Sequence, residues 1–305
     1  MFGKNRNDDV RASRRWTSVL LWVLAFLIMA GSAVYQRKTG PTYPLRGEFT
    51  VAVSTRAYKL IRSSDSDATS PGAEVVIPDP GEGYRAELHW RRYRATDDFT
   101  VLAMERRLED ENATLVGLLP AQPPAGKLEY FISVNGPDLD LIFPEPTVVI
   151  RFKGDVPSKV LLPHVLMMVM AILVGMRAAL AALVAPGNLR GLTWLTLLAL
   201  TAGGMILGPI VQKYAFGAYW TGWPLGGDWT DNKTLVMWLA WVLAAGFLGW
   251  GRSRPKLIRR LAVLIAALVM MSVYLIPHSM GGSELDYSAL EQGMDPGDAI
   301  GTGRR

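Results

Sequence analysis

The sequence predicts a multidomain membrane protein. It has an N-terminal transmembrane anchor, an all-β sandwich and a C-terminal four-helix membrane bundle, five transmembrane helices in all. Three observations predict this. Half of the 305 residues are hydrophobic and the mean hydropathy is +0.19, above that of an ordinary soluble domain. The apolar residues are gathered into five uncharged blocks, each close to the length that crosses ~30 Å of hydrocarbon at ~1.5 Å per residue. Between the first two blocks lies a long polar stretch with strand-like alternation.

Residues 1–15 form a basic segment holding Lys4, Arg6, Arg11, Arg14 and Arg15. Residues 16–36 form the first apolar block, with Trp16 and Tyr35 near its ends as interfacial anchors. The run Ala30-Gly31-Ser32-Ala33 also fits a cleaved signal peptide, but the apolar stretch is longer than a usual signal core, which favours an uncleaved signal anchor. The other blocks are 160–176, 191–212, 234–251 and 261–277; each is apolar around its whole circumference. With their links they make a four-helix membrane domain over 158–279, followed by a polar tail over 280–305.

Residues 41–157 read as short strands broken by turn residues. Segments 48–53, 84–93, 99–104, 113–119, 127–134 and 147–152 alternate or run apolar, and Pro78-Asp79-Pro80-Gly81, 120–126 and Asn135-Gly136-Pro137 separate them. Strands at this spacing predict an antiparallel sandwich. The pair Leu118-Leu119-Pro120 and Leu128-Glu129-Tyr130-Phe131-Ile132 resembles the tyrosine corner of fibronectin type III and immunoglobulin-like domains. That resemblance implies that the Tyr130 hydroxyl ties the loop before its strand to the strand itself.

Charge orients the chain. Residues 1–15 carry +3, the link 251–260 carries +5 through Arg252, Arg254, Lys256, Arg259 and Arg260, and Arg177 and Arg190 add two more. Alternation of five spans puts these on one side, which the positive-inside rule makes cytoplasmic. The N-terminus is then cytoplasmic, and the β domain and C-terminus are extracytoplasmic. The formal net charge of +5 and the basic pI of 9.4 are therefore orientation signals. Segment 37–159 holds 16 basic and 18 acidic residues, so no positive field invites nucleic acid, despite the patch Arg91, Arg92, Tyr93 and Arg94. The lipid bilayer is the first partner, with a periplasmic or membrane protein as a second. Absence of cysteine excludes a disulfide scaffold, a zinc ribbon, a thiol nucleophile and cysteine-attached haem.

The same topology gathers ionisable residues on one outer rim: His164, Lys213, Asp228, Asp231, Lys233, His278, Glu284 and Asp286, among several Trp and Tyr. Three readings compete. His164 and His278 with Asp228, Asp231, Glu284 or Asp286 make a nitrogen–oxygen set for a divalent metal. His164 and His278 alone could hold a b-type haem between two helices. The third reading is a polar and aromatic belt that locks helix ends and meets headgroups. Ser279 beside His278 is badly placed for Ser/His chemistry, and no GxSxG, SxxK or Walker loop occurs. His89, between Leu88 and Trp90, reads as a structural strand residue. Arg177 lies inside a span with no carboxylate to meet it, so it is expected to reach toward the cytoplasmic headgroups. The run Gly203-Gly204-x-x-x-Gly208-Pro209 predicts close helix approach and a kink at Gly208 and Pro209.

The runs 151–157, 208–234 and Ile276-Pro277-His278-Ser279 resemble those of an uncharacterised bacterial inner-membrane protein family, in which a fibronectin-like domain precedes a small helical bundle. The resemblance implies an inner-membrane location and an envelope role in binding or assembly, and transfers no catalytic residue. The alternative function is a redox or metal-dependent membrane enzyme centred on His164 and His278.

Overall fold

The computed structural model describes residues 6–51, 54–66, 71–109, 112–137, 139–184, 188–249, 255–277 and 282–301. His278, Ser279, Lys4, Arg252 and Arg254 lie outside the described residues. The chain divides into two compact units. One is helical (Met1–Thr39, Ser158–Val211 and Trp229–Met280) and one is β-rich (Gly40–Pro157, Gln212–Asp228 and Gly281–Arg305).

The helices are α1 (Arg6–Thr39), α2 (Ser158–Val184), α3 (Leu189–Leu200), α4 (Gly208–Phe216), α5 (Trp229–Gly249) and α6 (Lys256–Leu275). A π-helical segment, Thr201–Leu207, joins α3 to α4. Among the described residues five stretches are long and apolar enough to cross a membrane: Arg15–Thr39, Ser158–Val184, Leu189–Phe216, Trp229–Gly249 and Lys256–Leu275. In lipid a spanning segment must satisfy its backbone internally, which a continuous helix does.

Within the helical unit α2 is the hub, packing on α1, α3, the π segment and α6. Its buried side carries Ala171, Gly175, Ala178, Ala181 and Ala182, small residues that let neighbouring backbones come close. Large side chains fill the remainder: Trp241, Met270 and Leu200 are fully buried. α1 is part of this bundle. Ala25 and Met29 enter the core, and Gln36 Nε2 donates to the Ile276 carbonyl at 3.0 Å. Outward faces stay apolar, as at Leu20, Leu162, Leu198, Leu243 and Leu268.

The glycine run shapes the third span. Pro209 has no N–H and its ring crowds the carbonyl of the preceding turn. The helix widens just upstream: the Gly208 N–H donates to Gly203 O, five residues back. A Cβ on Gly203 would lie 2.8 Å from Met167 Cβ and 3.2 Å from Met168 N, so α2 and the π segment touch backbone to backbone here. Arg177 reaches side chains in the N-terminal half of α1. It is buried, its Nη2 donates to Ser18 Oγ at 3.3 Å, and its guanidinium lies 5.5 Å from the Trp22 ring centroid, all on α1.

The β-rich unit begins with the hairpin β1 (Leu45–Val51) and β2 (Ser54–Leu60). Then come β3 (Ser63–Asp65), β4 (Gly72–Pro78), β5 (Arg85–Arg92), β6 (Thr100–Ala103), β7 (Glu105–Glu109), β8 (Asn112–Pro120), β9 (Lys127–Gly136) and β10 (Leu139–Lys153). Five strands form one sheet in the order β3-β10-β9-β5-β6, and three form another, β4-β8-β7. Only β3 and β10 run parallel among these pairs. The segment expected as one strand over 99–104 instead leads across both sheets: β6 pairs with β5, and after buried Met104 the chain continues as β7 beside β8.

Period-two alternation builds a shared core. Leu128, Tyr130, Ile132 and Val134 of β9 meet Leu88 of β5, Val75 and Ile77 of β4, and Leu119 of β8. Gly117 leaves room for the Leu88 side chain, whose Cδ2 would lie 2.8 Å from a Cβ there. The Tyr130 hydroxyl is tied to backbone, but its acceptor is the Ile61 carbonyl at 2.7 Å, between β2 and β3. The corner implied by the family resemblance would have tied the loop before β9. Here Ile61 precedes the short strand that lies beside β10, so the bond pins that edge.

Residues 282–301, expected as part of a polar tail, are folded. Strands β11 (Glu284–Leu285) and β12 (Ile300–Gly301) pair, and between them runs the short helix α7 (Tyr287–Glu291). Asp286 Oδ1 caps α7 by accepting from Ser288 N at 3.0 Å and Ala289 N at 3.3 Å. Leu285, Tyr287 and Ala299 form a small buried cluster.

Two substitutions check these assignments. Gly203→Ala should lower the thermal midpoint of the detergent-solubilised protein, by about 1–3 kcal/mol of overpacking, whereas Gly31→Ala, whose Cβ meets nothing within 4 Å, should leave it unchanged. Tyr130→Phe should cost about 1 kcal/mol in a denaturant titration of the same protein, since it removes the hydrogen bond to the half-buried Ile61 carbonyl.

Candidate functional site

The site grows from a charge problem at one end of the five-stranded sheet. In the β9–β10 register Lys127 stands directly opposite Arg151. Both are buried, at 8% and 6% exposure. Like charges facing each other across strands are destabilising, and burial worsens this by removing water. Segments far along the chain supply the anions.

Glu284 of β11 accepts from the Lys127 ammonium through Oε1 and from Arg94 Nη1 through Oε2 at 3.0 Å. On the Arg151 side stands buried Asp228. Its Oδ2 accepts from Ser283 N at 2.8 Å, Ser283 Oγ at 3.0 Å and Thr221 Oγ1 at 3.2 Å. Gln212 Nε2 donates to Thr221 Oγ1 at 2.8 Å and extends the network. The Arg151 guanidinium also lies over Phe216, 5.2 Å from the ring centroid. Burial pulls its pKa down, and Asp228 and Glu284 oppose that pull.

Beside this buried pair opens a cavity of about 380 Å³, lined entirely by the β-rich unit. The turn after β5 supplies Arg92, Tyr93, Arg94 and Asp97, β9 supplies Lys127, and the C-terminal segment supplies Glu284, Tyr287 and Glu291 among others. Arg92 is held on two sides. Its Nε and Nη2 donate to Asp97 Oδ2 and Oδ1 at 2.5 and 2.7 Å, and its guanidinium sits 5.2 Å from the Tyr287 ring centroid. Nη2 also donates to Glu291 Oε1 at 2.5 Å. The Asp97 and Glu291 carboxylates hold the Arg92 pKa above its ordinary value, against desolvation, and Arg92 in turn holds the Asp97 carboxyl low.

Tyr287 knits wall to floor. Its hydroxyl accepts from Lys127 N at 3.0 Å, with Gln122 Oε1 and the Lys127 carbonyl each 3.0 Å away as acceptors. Burial pushes its pKa up to about 12. Burial, with the Arg151 charge adding to it, pushes Lys127 down to about 8 despite Glu284.

The residues singled out from sequence distribute as follows. His164 sits on α2 with Nδ1 2.9 Å from the Gly203 carbonyl, the carbonyl that also receives the π-segment bond. Asp231 is buried in the first turn of α5. Asp228, Glu284 and Asp286 belong to the β-rich unit and are engaged by Ser283 and Thr221, by Lys127 and Arg94, and by the α7 N-terminus respectively. Among the described residues no group of three or more His, Asp or Glu could hold a metal ion. His278, the second residue of the haem reading, is outside the described residues. His89 stacks on Phe131 at 4.5 Å, with Nε2 2.9 Å from Ser133 Oγ. The arginines of the basic patch face carboxylates: Arg91 meets Glu129, Arg92 meets Asp97 and Glu291, and Arg94 meets Glu284.

Tyr287 was placed on the outer rim with Glu284 and Asp286, but sequence reasoning did not find Lys127, Arg151 or Glu291. One signal was present: Arg151 interrupts Val148-Val149-Ile150 and Phe152 on a buried strand. No protein-family model matches the chain, and no curated protein matches it either.

The buried cation makes a pH prediction. Lys127 binds its proton more weakly in the folded state than in the unfolded state, where its pKa is near the ordinary lysine value of 10.5. Its cost to stability is therefore full below pH 8 and lifts as pH rises toward 10.5, by about 3 kcal/mol at most. Tyr287 works in the opposite sense above pH 10, where the unfolded phenol ionises first. Between pH 8 and 10 the wild type should gain stability relative to Lys127→Met in matched denaturant titrations. Glu284→Gln should be the more damaging change at pH 7, because it leaves Lys127 buried without its carboxylate.

Proposed function

We propose that this chain is a bacterial inner-membrane protein that holds a binding domain outside the cytoplasm, with a role in recognition or assembly in the envelope. Five helices long and apolar enough to span a membrane support the membrane part. The excess of Lys and Arg in 1–15 and 251–260 supports a cytoplasmic N-terminus, and with five spans an extracytoplasmic β-rich domain and C-terminus. The resemblance to the inner-membrane family with a fibronectin-like domain belongs to this same reading.

The observation that carries the binding role is the cavity of about 380 Å³. It is enclosed by Arg92, Arg94 and Lys127, by four carboxylates and by two tyrosines. A concave site with a few convergent polar groups and a perturbed lysine is where ligands are most often held. The polar network beneath it, in which Ser283 and Thr221 donate to Asp228 and Glu284 accepts from Lys127 and Arg94, holds these groups in place around the cavity.

Two measurements test the proposal. A reporter enzyme that works only outside the cytoplasm, fused after Arg305, should be active; activity of a cytoplasm-restricted reporter at that position would reverse the topology. Native mass spectrometry of protein extracted from its own membranes should show a small adduct that Ala95→Trp, which fills the cavity, removes without changing the thermal midpoint. A Soret band or stoichiometric metal in the purified protein would replace this reading with the redox or metal-dependent enzyme at His164 and His278.

A further inference from the structure

The cavity has one recognition element, the Arg92 guanidinium, whose hydrogen-bonding capacity is only partly used. A guanidinium offers two forked edges, each suited to two oxygens of one anion. Asp97 occupies the Nε/Nη2 edge of Arg92 through both its oxygens. The Nη1/Nη2 edge is touched at Nη2 alone, by Glu291 Oε1, and Nη1 has no hydrogen-bond partner among the described residues.

Glu291 is poorly suited to be a permanent occupant. Its side chain is 60% exposed and it makes one hydrogen bond. It is the last residue of α7, where a negative charge meets the negative end of the helix. Exposed ion pairs of this kind contribute little to stability. Arg92, by contrast, is oriented before any ligand arrives, by Asp97 on one edge and the Tyr287 ring against its face. The other cations are committed: Glu284 takes both Lys127 and Arg94. With Glu291 turned into solvent, Arg92, Arg94 and Lys127 face Asp97, Glu284 and Asp286, and one arriving anion restores the resting charge.

We propose that the cavity binds an oxyanion, a carboxylate or phosphate group of a small ligand, end-on at the Nη1/Nη2 edge of Arg92, and that Glu291 is a built-in competitor which the ligand displaces. The inference rests on the cavity being the recognition site and adds the chemistry of what enters it. Tyr93, Tyr287 and Ala95 line the same cavity and would meet the ligand's body. A volume of about 380 Å³ limits that body to a small molecule or a single headgroup.

The test is calorimetric titration of the full-length protein in non-ionic detergent with inorganic phosphate and with benzoate, at constant ionic strength. Glu291→Gln should bind one or both about two- to fivefold more tightly than wild type, since it removes the competing charge and keeps the side-chain shape. Arg92→Lys, which keeps the charge and loses the fork, should cancel that gain. Equal affinities in wild type and Glu291→Gln, or undiminished affinity when Arg92→Lys is combined with Glu291→Gln, would overturn the proposal. The same titration in nanodiscs of phosphatidylcholine with and without phosphatidylglycerol separates the sources. A Glu291-dependent response to the free anions assigns a soluble ligand, one confined to phosphatidylglycerol assigns a headgroup, and a response to neither overturns the site. A natural adduct retained by wild type and lost in Ala95→Trp, together with flat titrations throughout, would leave the binding role standing and remove this inference alone.

Discussion

The β-rich unit depends on how two neighbouring buried cations are neutralised. Lys127 and Arg151 face each other on β9 and β10, and the carboxylate nearest Lys127 on its own strand, Glu129, is taken by Arg91. Taking each ion out of water costs several kcal/mol, and their mutual repulsion adds to that in a medium of lowered dielectric. Glu284 and Asp228 offset both terms, and each reaches the sheet from a segment beyond strand β10. Much else follows. Asp228 must be fixed, so Ser283 and Thr221 donate to it and Gln212 holds Thr221. Glu284 must be fixed, so β11 pairs with β12 and Tyr287 anchors the chain just beyond it. The cavity is the space left between this clamp and the turn after β5.

The helical unit answers a different constraint. Lipid gives no hydrophobic drive for helix association, so contact area and internal hydrogen bonding carry the packing. The small residues on α2 provide area, and the π segment lets a proline enter the third span without breaking it. Gly203 joins the two devices. Lacking a side chain it lets α2 approach, and its carbonyl receives both the Gly208 N–H and the contact with His164. A histidine that from sequence alone suggested a ligand is therefore part of the polar accounting around a helix distortion.

Spans and breaks were legible because they rest on composition along the chain. The five apolar blocks predicted the five spanning stretches, and Gly208-Pro209 marked the distortion. The strands over 84–93 and 127–134 were legible from period-two alternation. What was hidden depends on pairing. Lys127 looks like an ordinary first residue of a strand until the register sets it against Arg151. Glu284 and Asp286 looked like rim carboxylates available to a metal, because nothing local reveals a lysine more than a hundred residues earlier. The C-terminal segment read as a polar tail because its buried set, Leu285, Tyr287 and Ala299, is too sparse to register as a periodic pattern. The partners of Arg177, Ser18 and Trp22, were hidden because helix–helix adjacency is not encoded in its own span.

The order in which the chain is made gives the clamp a further consequence. Strands β9 and β10 are synthesised well before Asp228 and later still before Glu284, so the cation pair can form early only if water solvates it. The sheet can assemble its apolar face from Leu128, Tyr130, Ile150 and Phe152 at that stage, since those residues meet partners made earlier. The Lys127–Arg151 face must remain hydrated until residues 212–228 and then 282–291 are present. Desolvation of the cations, closure of the Tyr287 contacts and formation of the cavity then all depend on the same segment, 282–291. The cavity lining and the clamp share the same atoms, so a change that weakens Glu284 or Tyr287 should be felt in both, whereas Glu291, at the rim and largely in water, touches the cavity and spares the fold.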